Sequence, residues 1–431
     1  SPPHVPPPLP PPPRAPALAP MPRATLEPSR RSAIRSFKVM DVVQRADQLA
    51  RAGRTIYHLE VGQPQSSAPA LAVRKAQEQL GSDRCGYTAA RGEPPLRDAL
   101  ATMYKTDYNI DVSPGRIHLT PGSSGGFTIA FMAAFDVGDA VAVPASCYPC
   151  YRNLLQCYGC EVVTLAVDER YNVTAKELAA GQAVRAAEGK SPIKGLILSS
   201  PANPTGAMLT PDELKGLCEL CDATGVQFIS DEIYHGIVYT GAPRAACALE
   251  FTDKAIVINS FSKFYSMTGW RLGWLVVPDH LDACVDALNQ NMNVSAPTIS
   301  QRAAVAALSA EARPELLSHV KRYEANRQVV VDGLTAMGIQ PDCYAPPQGA
   351  FYLYADLKSH GVRDSLAFCE ALLEEAGVAI TPGVDFEEPG SGLGETRLRF
   401  GFPGATEDVR TAMKVFAQWW TSPTALKLRG L

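Results

Sequence analysis

Between residues 117 and 277 the chain carries seven short, almost wholly apolar runs, at 117–119, 140–143, 162–165, 195–198, 226–229, 255–258 and 272–277. A strand with one wet face alternates apolar and polar side chains. A run without that alternation is apolar on both faces and must be covered on both. Helical periodicity fills gaps between the runs, over 126–135, 149–158, 174–187 and 211–224. Buried strands separated by helices predict an α/β fold: a mostly parallel seven-stranded sheet between helices.

From about Thr298 the pattern changes. A helical stretch spans 299–337 with a break near Arg313-Pro314, followed by a strand over 349–356, a helix over 364–376, a strand over 396–402 and a last helix through Trp419. Together with a helix over 41–52 and a strand over 57–61, this predicts a smaller α+β domain formed by 31–60 and 298–431. The large domain is then 61–297. Residues 1–30 stand apart. Nearly every second residue from Ser1 to Pro28 is proline, and such a segment favours extended polyproline conformations that cannot build a core. It is expected to be a disordered leader outside the fold. Its shortage of acidic residues leaves an organelle transit peptide as one reading, beside a linker or a gene-model read-through.

Composition excludes several function classes. The net charge is −4 and no basic stripe stands out, so no nucleic-acid partner is expected. No apolar stretch approaches the roughly 18–20 residues of a membrane span, so no membrane association is expected either. Eleven cysteines, an odd number, suit free thiols in a reducing compartment, and the cytoplasm is the expected location. The pairs Cys147/Cys150, Cys157/Cys160 and Cys218/Cys221 have a zinc-compatible spacing. Tyr148 and Pro149 fill the first pair, however, and no zinc-ribbon glycines surround it. Packed thiols are expected, and no metal.

In open parallel sheets ligands bind at the carboxyl ends of the strands, and the unusual residues of this chain follow the apolar runs. After 117–119 comes Thr120-Pro121-Gly122-Ser123-Ser124-Gly125-Gly126, small residues opening a helix, where backbone N–H groups can cradle an anion. A tight turn is the simpler reading of that stretch taken alone. Tyr148 follows the second run, an aromatic able to stack on a flat ring. Asn203-Pro204-Thr205-Gly206 follows the fourth and Asp231-Glu232-Ile233-Tyr234-His235 the fifth. A carboxylate at a buried strand end needs a partner; His235 reads as structural. Between the last two runs lies Ser260-Phe261-Ser262-Lys263, with Arg271 eight residues past the lysine. An amine desolvated there becomes a nucleophile toward a carbonyl, and the two serines with Arg271 suit a phosphate.

This set resembles the fold-type I pyridoxal-phosphate enzymes, specifically the class I/II aminotransferases, over roughly residues 36–420. The resemblance implies pyridoxal 5'-phosphate as cofactor, with Lys263 as the Schiff-base lysine and proton carrier. Asp231 would face the pyridine nitrogen, Asn203 and Tyr234 the ring's phenolic oxygen, and Tyr148 the ring face. Ser123, Ser124, Ser260, Ser262 and Arg271 would hold the phosphate, joined by Tyr87 from the neighbouring subunit of a homodimer. Arg397 is expected to grip the substrate α-carboxylate, beside Gly62 and Asn203, with Arg399 the weaker candidate. The activity implied is transamination between an L-amino acid and a 2-oxo acid by a ping-pong mechanism. A β-lyase or eliminase of the same fold, and more remotely a non-catalytic sensor, are the other readings. The family's lysine in the phosphate turn of one aspartate-accepting subgroup is Ser124 here, and the amino donor stays open.

Overall fold

Each of the seven apolar runs becomes a strand. The computed structural model describes residues 26–82 and 84–431, so the expected leader falls, apart from residues 26–30, outside the described residues. The strands are β1 (Tyr57–His58), β2 (Ile117–Thr120), β3 (Ala140–Pro144), β4 (Glu161–Leu165), β5 (Ile193–Ser199), β6 (Gln227–Asp231), β7 (Ile256–Ser260), β8 (Gly273–Val276), β9 (Tyr352–Asp356), β10 (Val378–Ala379), β11 (Thr381–Pro382) and β12 (Arg397–Gly401). β2 to β8 form one sheet in the order β2-β8-β7-β6-β5-β3-β4. All its pairs are parallel except the two that β8 makes, with β2 and with β7. The reason is local. The β7–β8 connection holds only a short 3-10 turn (Thr268–Trp270) and no crossover helix, so the chain returns antiparallel.

Absence of alternation in the runs has the expected cause. Leu196, Leu198, Phe228, Val257 and Trp274 join the core on one face of the sheet. Ile197, Ile229, Ile256, Ile258 and Leu275 join the core on the other. Burying each such side chain contributes roughly 1.5–3 kcal/mol. Cys147, Cys150 and Cys160 pack in the second of these cores and Cys218 and Cys221 in the first.

Helices follow local signals. The helix Pro211–Thr224 starts with Thr210 and Glu213 in a reciprocal capping box and proline at its first position, and it stops at Gly225, which has φ 68°. The helix after β2 begins at Gly122, four residues before the sequence periodicity suggests, so Ser123 and Ser124 lie in its first turn. The long stretch over 299–337 is two helices, Thr298–Ala307 and Arg313–Ala336.

β9, β12 and β11 form a second, antiparallel sheet, and β1 pairs with β10 in parallel. Around them Leu353, Leu398, Phe400, Phe416 and Trp420 build a separate core. β10, β11 and the final helix Pro423–Leu428 are absent from the sequence reading; the two strands are each two residues long and carry no usable periodicity. No helix among the described residues is long and apolar enough to cross a membrane.

Candidate active site

The carboxyl ends of β5, β6 and β7 lie side by side, with Ser199 opposite Asp231 and Asp231 opposite Ile258. The β7–β8 loop is tied down by its own backbone and hydroxyls. Phe261 N–H donates to the Leu272 carbonyl (3.0 Å) and Met267 N–H to the Phe261 carbonyl (3.0 Å). Ser260 Oγ donates to the Leu272 carbonyl and accepts from Ser262 N–H, both at 3.0 Å. The Phe261 ring packs against Trp274 at 5.1 Å between centroids. This bracing presents Lys263 at the floor of a cavity of about 280 Å³.

Lys263 Nζ donates to the Gly62 carbonyl at 2.7 Å. Desolvation, with help from the nearby charges of Arg399 and Arg271, brings its amine down to about 8; Asp231 pulls the other way. Asp231 is buried at the end of β6. Its Oδ1 accepts the Ile233 N–H at 3.1 Å and its Oδ2 accepts the Tyr151 hydroxyl. Burial pushes its carboxyl up to about 6 against those two hydrogen bonds. Tyr234 and Tyr352 share a hydrogen bond between hydroxyls, 2.8 Å. Burial holds both phenols above their ordinary range.

Two glycines make room. Gly122 has φ 70°, in the left-handed region, and a Cβ there would land on the Arg271 guanidinium. Pro121, the residue before that helix, makes no side-chain cap. The helix therefore offers its first N–H groups and Arg271 to one point, an arrangement suited to a phosphate. Gly62 lies against Tyr352, whose hydroxyl a Cβ at position 62 would overlap.

Most of the expected site residues meet in this cavity: Gly62, Ser123, Ser124, Tyr148, Asn203, Asp231, Tyr234, Ser262, Lys263 and Arg271 all line it. Three do not. Ser260 is buried behind Ser262, whose hydroxyl lies 2.9 Å from its own, so it supports the loop rather than facing the cavity. Tyr87 is 88% exposed on the surface of this chain. Arg397 is the third, and it calls for a correction. Its guanidinium is bound to Glu387 (2.8 Å), Asp356 (3.2 Å) and Ser146 Oγ (3.2 Å), outside the cavity.

Arg399 takes the place expected of Arg397. The two arginines share one face of β12, but two residues along a strand is a shift of about 6.7 Å. That step sets Arg397 opposite Asp356 and Arg399 opposite Thr381. Arg399 donates to Asn203 Oδ1 at 2.9 Å, to Thr381 Oγ1 at 3.2 Å and to the Glu60 carbonyl. Its plane lies over Tyr352 and Phe386 at 4.5 and 4.7 Å. Its Nε is buried and has no hydrogen-bond partner in this chain.

His235 is structural, as its position suggests. Its Nε2 donates to the Ser200 carbonyl at 3.0 Å, and its Nδ1 pairs with the Tyr108 hydroxyl at 2.8 Å beside the Glu232 carboxylate at 3.4 Å. Sequence reasoning missed the Tyr151 contact with Asp231. The signal was present: Tyr148 and Tyr151 are one helical turn apart at the start of the helix Pro149–Cys157. It also missed Phe37, Val39, Met40 and Val61, which form an apolar rim to the cavity and which no local pattern marks.

The family model for aminotransferase class I and II matches residues 54–416. A valine–pyruvate aminotransferase of Mycobacterium tuberculosis is 43% identical over 91% of this chain and 98% of its own length. A (5-formylfuran-3-yl)methyl phosphate transaminase of Methanocaldococcus jannaschii is 32% identical, over 88% and 95%. Among solved structures, an aminotransferase from M. tuberculosis superposes with a TM-score of 0.86 at 43% identity, over 92% of this chain and 99% of that one. Aspartate aminotransferase from Thermus thermophilus, solved with maleate, superposes with 0.81 at 27% identity, over 91% and 100%.

Proposed function

This chain belongs to the class I and II aminotransferases and is an aminotransferase, and from that premise we propose that it carries pyridoxal phosphate on Lys263 and takes its amino group from an apolar L-amino acid. Class I aminotransferases use pyridoxal phosphate in general. The residues here fit that group. Gly122, the first turn after it, Ser262 and Arg271 suit its phosphate. Asp231 suits its ring nitrogen, Asn203 and Tyr234 its phenolic oxygen, and Tyr148 its face. When bound, the group supplies an electron-withdrawing ring that stabilises negative charge at the substrate α-carbon.

The protein supplies placement and the proton. Arg399, with Asn203 Oδ1 holding it, binds the substrate α-carboxylate with the guanidinium that lines the cavity. Lys263 Nζ takes the α-proton; an amine at about 8 is unprotonated in about a tenth of molecules at neutral pH, enough for a general base. The observation that carries the reading is one cavity presenting the amine of Lys263, the carboxylate of Asp231 and the guanidinium of Arg399 together.

The donor class is supported by the rim. Phe37, Val39, Met40 and Val61 are apolar, and the cations that line the cavity are Lys263, Arg271 and Arg399, each with a task already. The name of the M. tuberculosis relative, a valine–pyruvate aminotransferase, supports the same class, with pyruvate as the 2-oxo acid. Tyr87, exposed here, supports a homodimer in which it reaches the partner's phosphate site. The free cysteines suit a reducing compartment, hence the cytoplasm.

The test is a panel of donors against pyruvate and 2-oxoglutarate, ranked by kcat/KM, with visible absorbance recorded for the protein mixed with pyridoxal phosphate. Valine or leucine should lead, and the bound chromophore should vanish in Lys263→Ala. A bound chromophore unchanged in that variant would refute the cofactor assignment; aspartate in first place would refute the donor class.

A further inference from the structure

The helix Lys38–Arg51 begins without a cap of its own. Phe37, at its N-cap position, makes no side-chain hydrogen bond to the first turn. The missing acceptor comes from far along the chain. Asp385 Oδ1 accepts the Lys38 N–H at 2.9 Å and its Oδ2 accepts the Val39 N–H at 3.1 Å. Two backbone donors that would otherwise face solvent are thereby fixed to one carboxylate. The segment so fixed is the one that carries Phe37, Val39 and Met40 to the cavity rim. The Phe37 ring also meets Tyr148, at 5.9 Å between centroids.

The neighbours of Asp385 reach the rest of the site. The Phe386 ring lies against the Arg399 guanidinium, and its carbonyl accepts the Cys147 N–H at 3.1 Å, beside Tyr148. Glu387 binds Ser146 Oγ at 2.7 Å and Arg397 at 2.8 Å. Residues 385–387 thus touch, in order, the apolar rim, the carboxylate-binding arginine and the loop that positions the stacking tyrosine.

We propose that Asp385 is a positioning residue for donor selection: by anchoring residues 38 and 39 it holds Phe37, Val39 and Met40 where the donor side chain must pass, at a set distance from Arg399. This rests on the apolar-donor reading above. A rim held at a fixed distance from the carboxylate grip contacts a large side chain and misses a methyl group. Loss of the anchor therefore acts in proportion to the size of the donor.

The test compares wild type, Asp385→Ala and Asp385→Asn as holoenzymes with alanine, valine and leucine as donors. Removing a few methylene contacts changes kcat/KM by about 10-fold or more. Asp385→Ala should show that loss for valine and leucine, through KM, while alanine stays within about 2-fold. Asp385→Asn keeps an acceptor oxygen and should recover most of the loss. Hydrogen exchange at the amides of Lys38 and Val39 should quicken in Asp385→Ala and much less in Asp385→Asn. Equal losses for all three donors, or none, would overturn the proposal. If wild type does not favour apolar donors, the donor reading fails by itself. The ratio of leucine to alanine across the variants then still decides on Asp385: a shifted ratio upholds it and a constant ratio overturns it.

Discussion

Lys263 shows how a single side chain acquires chemistry from its setting. Its amine ends at about 8 because the cavity floor is poorly solvated and two arginines lie near it. The rate of α-proton removal should rise with pH through about 8 and level above it, as the free amine fills; single-turnover rates against pH check this. Lys263→Ala should lower kcat by about 10²–10⁴-fold or more, the usual worth of a positioned base. The same depressed pKa carries a stability cost in the cofactor-free protein. Folding disfavours the charged amine, so the cost is complete below pH 8 and gone above the unfolded value of 10.5. Cofactor-free Lys263→Met should therefore be more stable than cofactor-free wild type at pH 7, by on the order of 1–3 kcal/mol, and the gap should close by pH 11. Denaturant titrations of both proteins at the two pH values measure it.

The two arginines of β12 make the opposite pair of predictions. Arg399→Lys loses the planar fork and should drop kcat/KM by about 10²-fold or more with the fold intact. Arg397→Gln should instead cost about 3–5 kcal/mol of stability, because Glu387 is left buried without its cation. Thermal melts and kinetics on both variants separate the roles.

Among the elements, the helix Gly122–Ala134 carries the start of the proposed phosphate site. Its first residue has positive φ and its first turn faces Arg271. Gly122→Ala combines backbone strain of about 1–3 kcal/mol with displacement of that guanidinium. Affinity for pyridoxal phosphate should fall by about 10-fold or more, read by equilibrium titration of the visible band. The β7–β8 connection belongs to the same scale: with no crossover helix it returns antiparallel, and Gly273, where β8 begins, sits against the start of that helix. A Cβ at Gly273 would come within 2.7–2.8 Å of the Gly122 and Ser123 backbone.

At the scale of the whole molecule the exposed Tyr87 carries the prediction. If its hydroxyl completes the partner's site, Tyr87→Ala is weak and Lys263→Ala is dead, yet a mixed dimer holds one site with both residues intact. Refolding the two variants together should give activity well above the sum of the separate proteins. A mixture equal to that sum would place Tyr87 outside any shared site. In the same molecule-wide sense, residues 385–387 tie the apolar rim, Arg399 and the β3 loop into one unit.

The amino-acid sequence alone determined the sheet, because strands buried on both faces leave unbroken apolar runs. Its polar residues after the apolar runs, with the family resemblance they carry, also pointed to most of the side chains that line the cavity. What it left open is everything set by a step along a strand or by a contact across the chain. Arg397 and Arg399 differ only by two residues of register, and pairing with β9 and β11 decides which of them meets a carboxylate of the protein and which meets the cavity. The start of the helix Lys38–Arg51, three residues before the periodicity implies, depends on a carboxylate 347 positions away. The apolar rim follows from that anchor. Local pattern reports what a segment can bury; only the tertiary structure determines which partner each polar group meets.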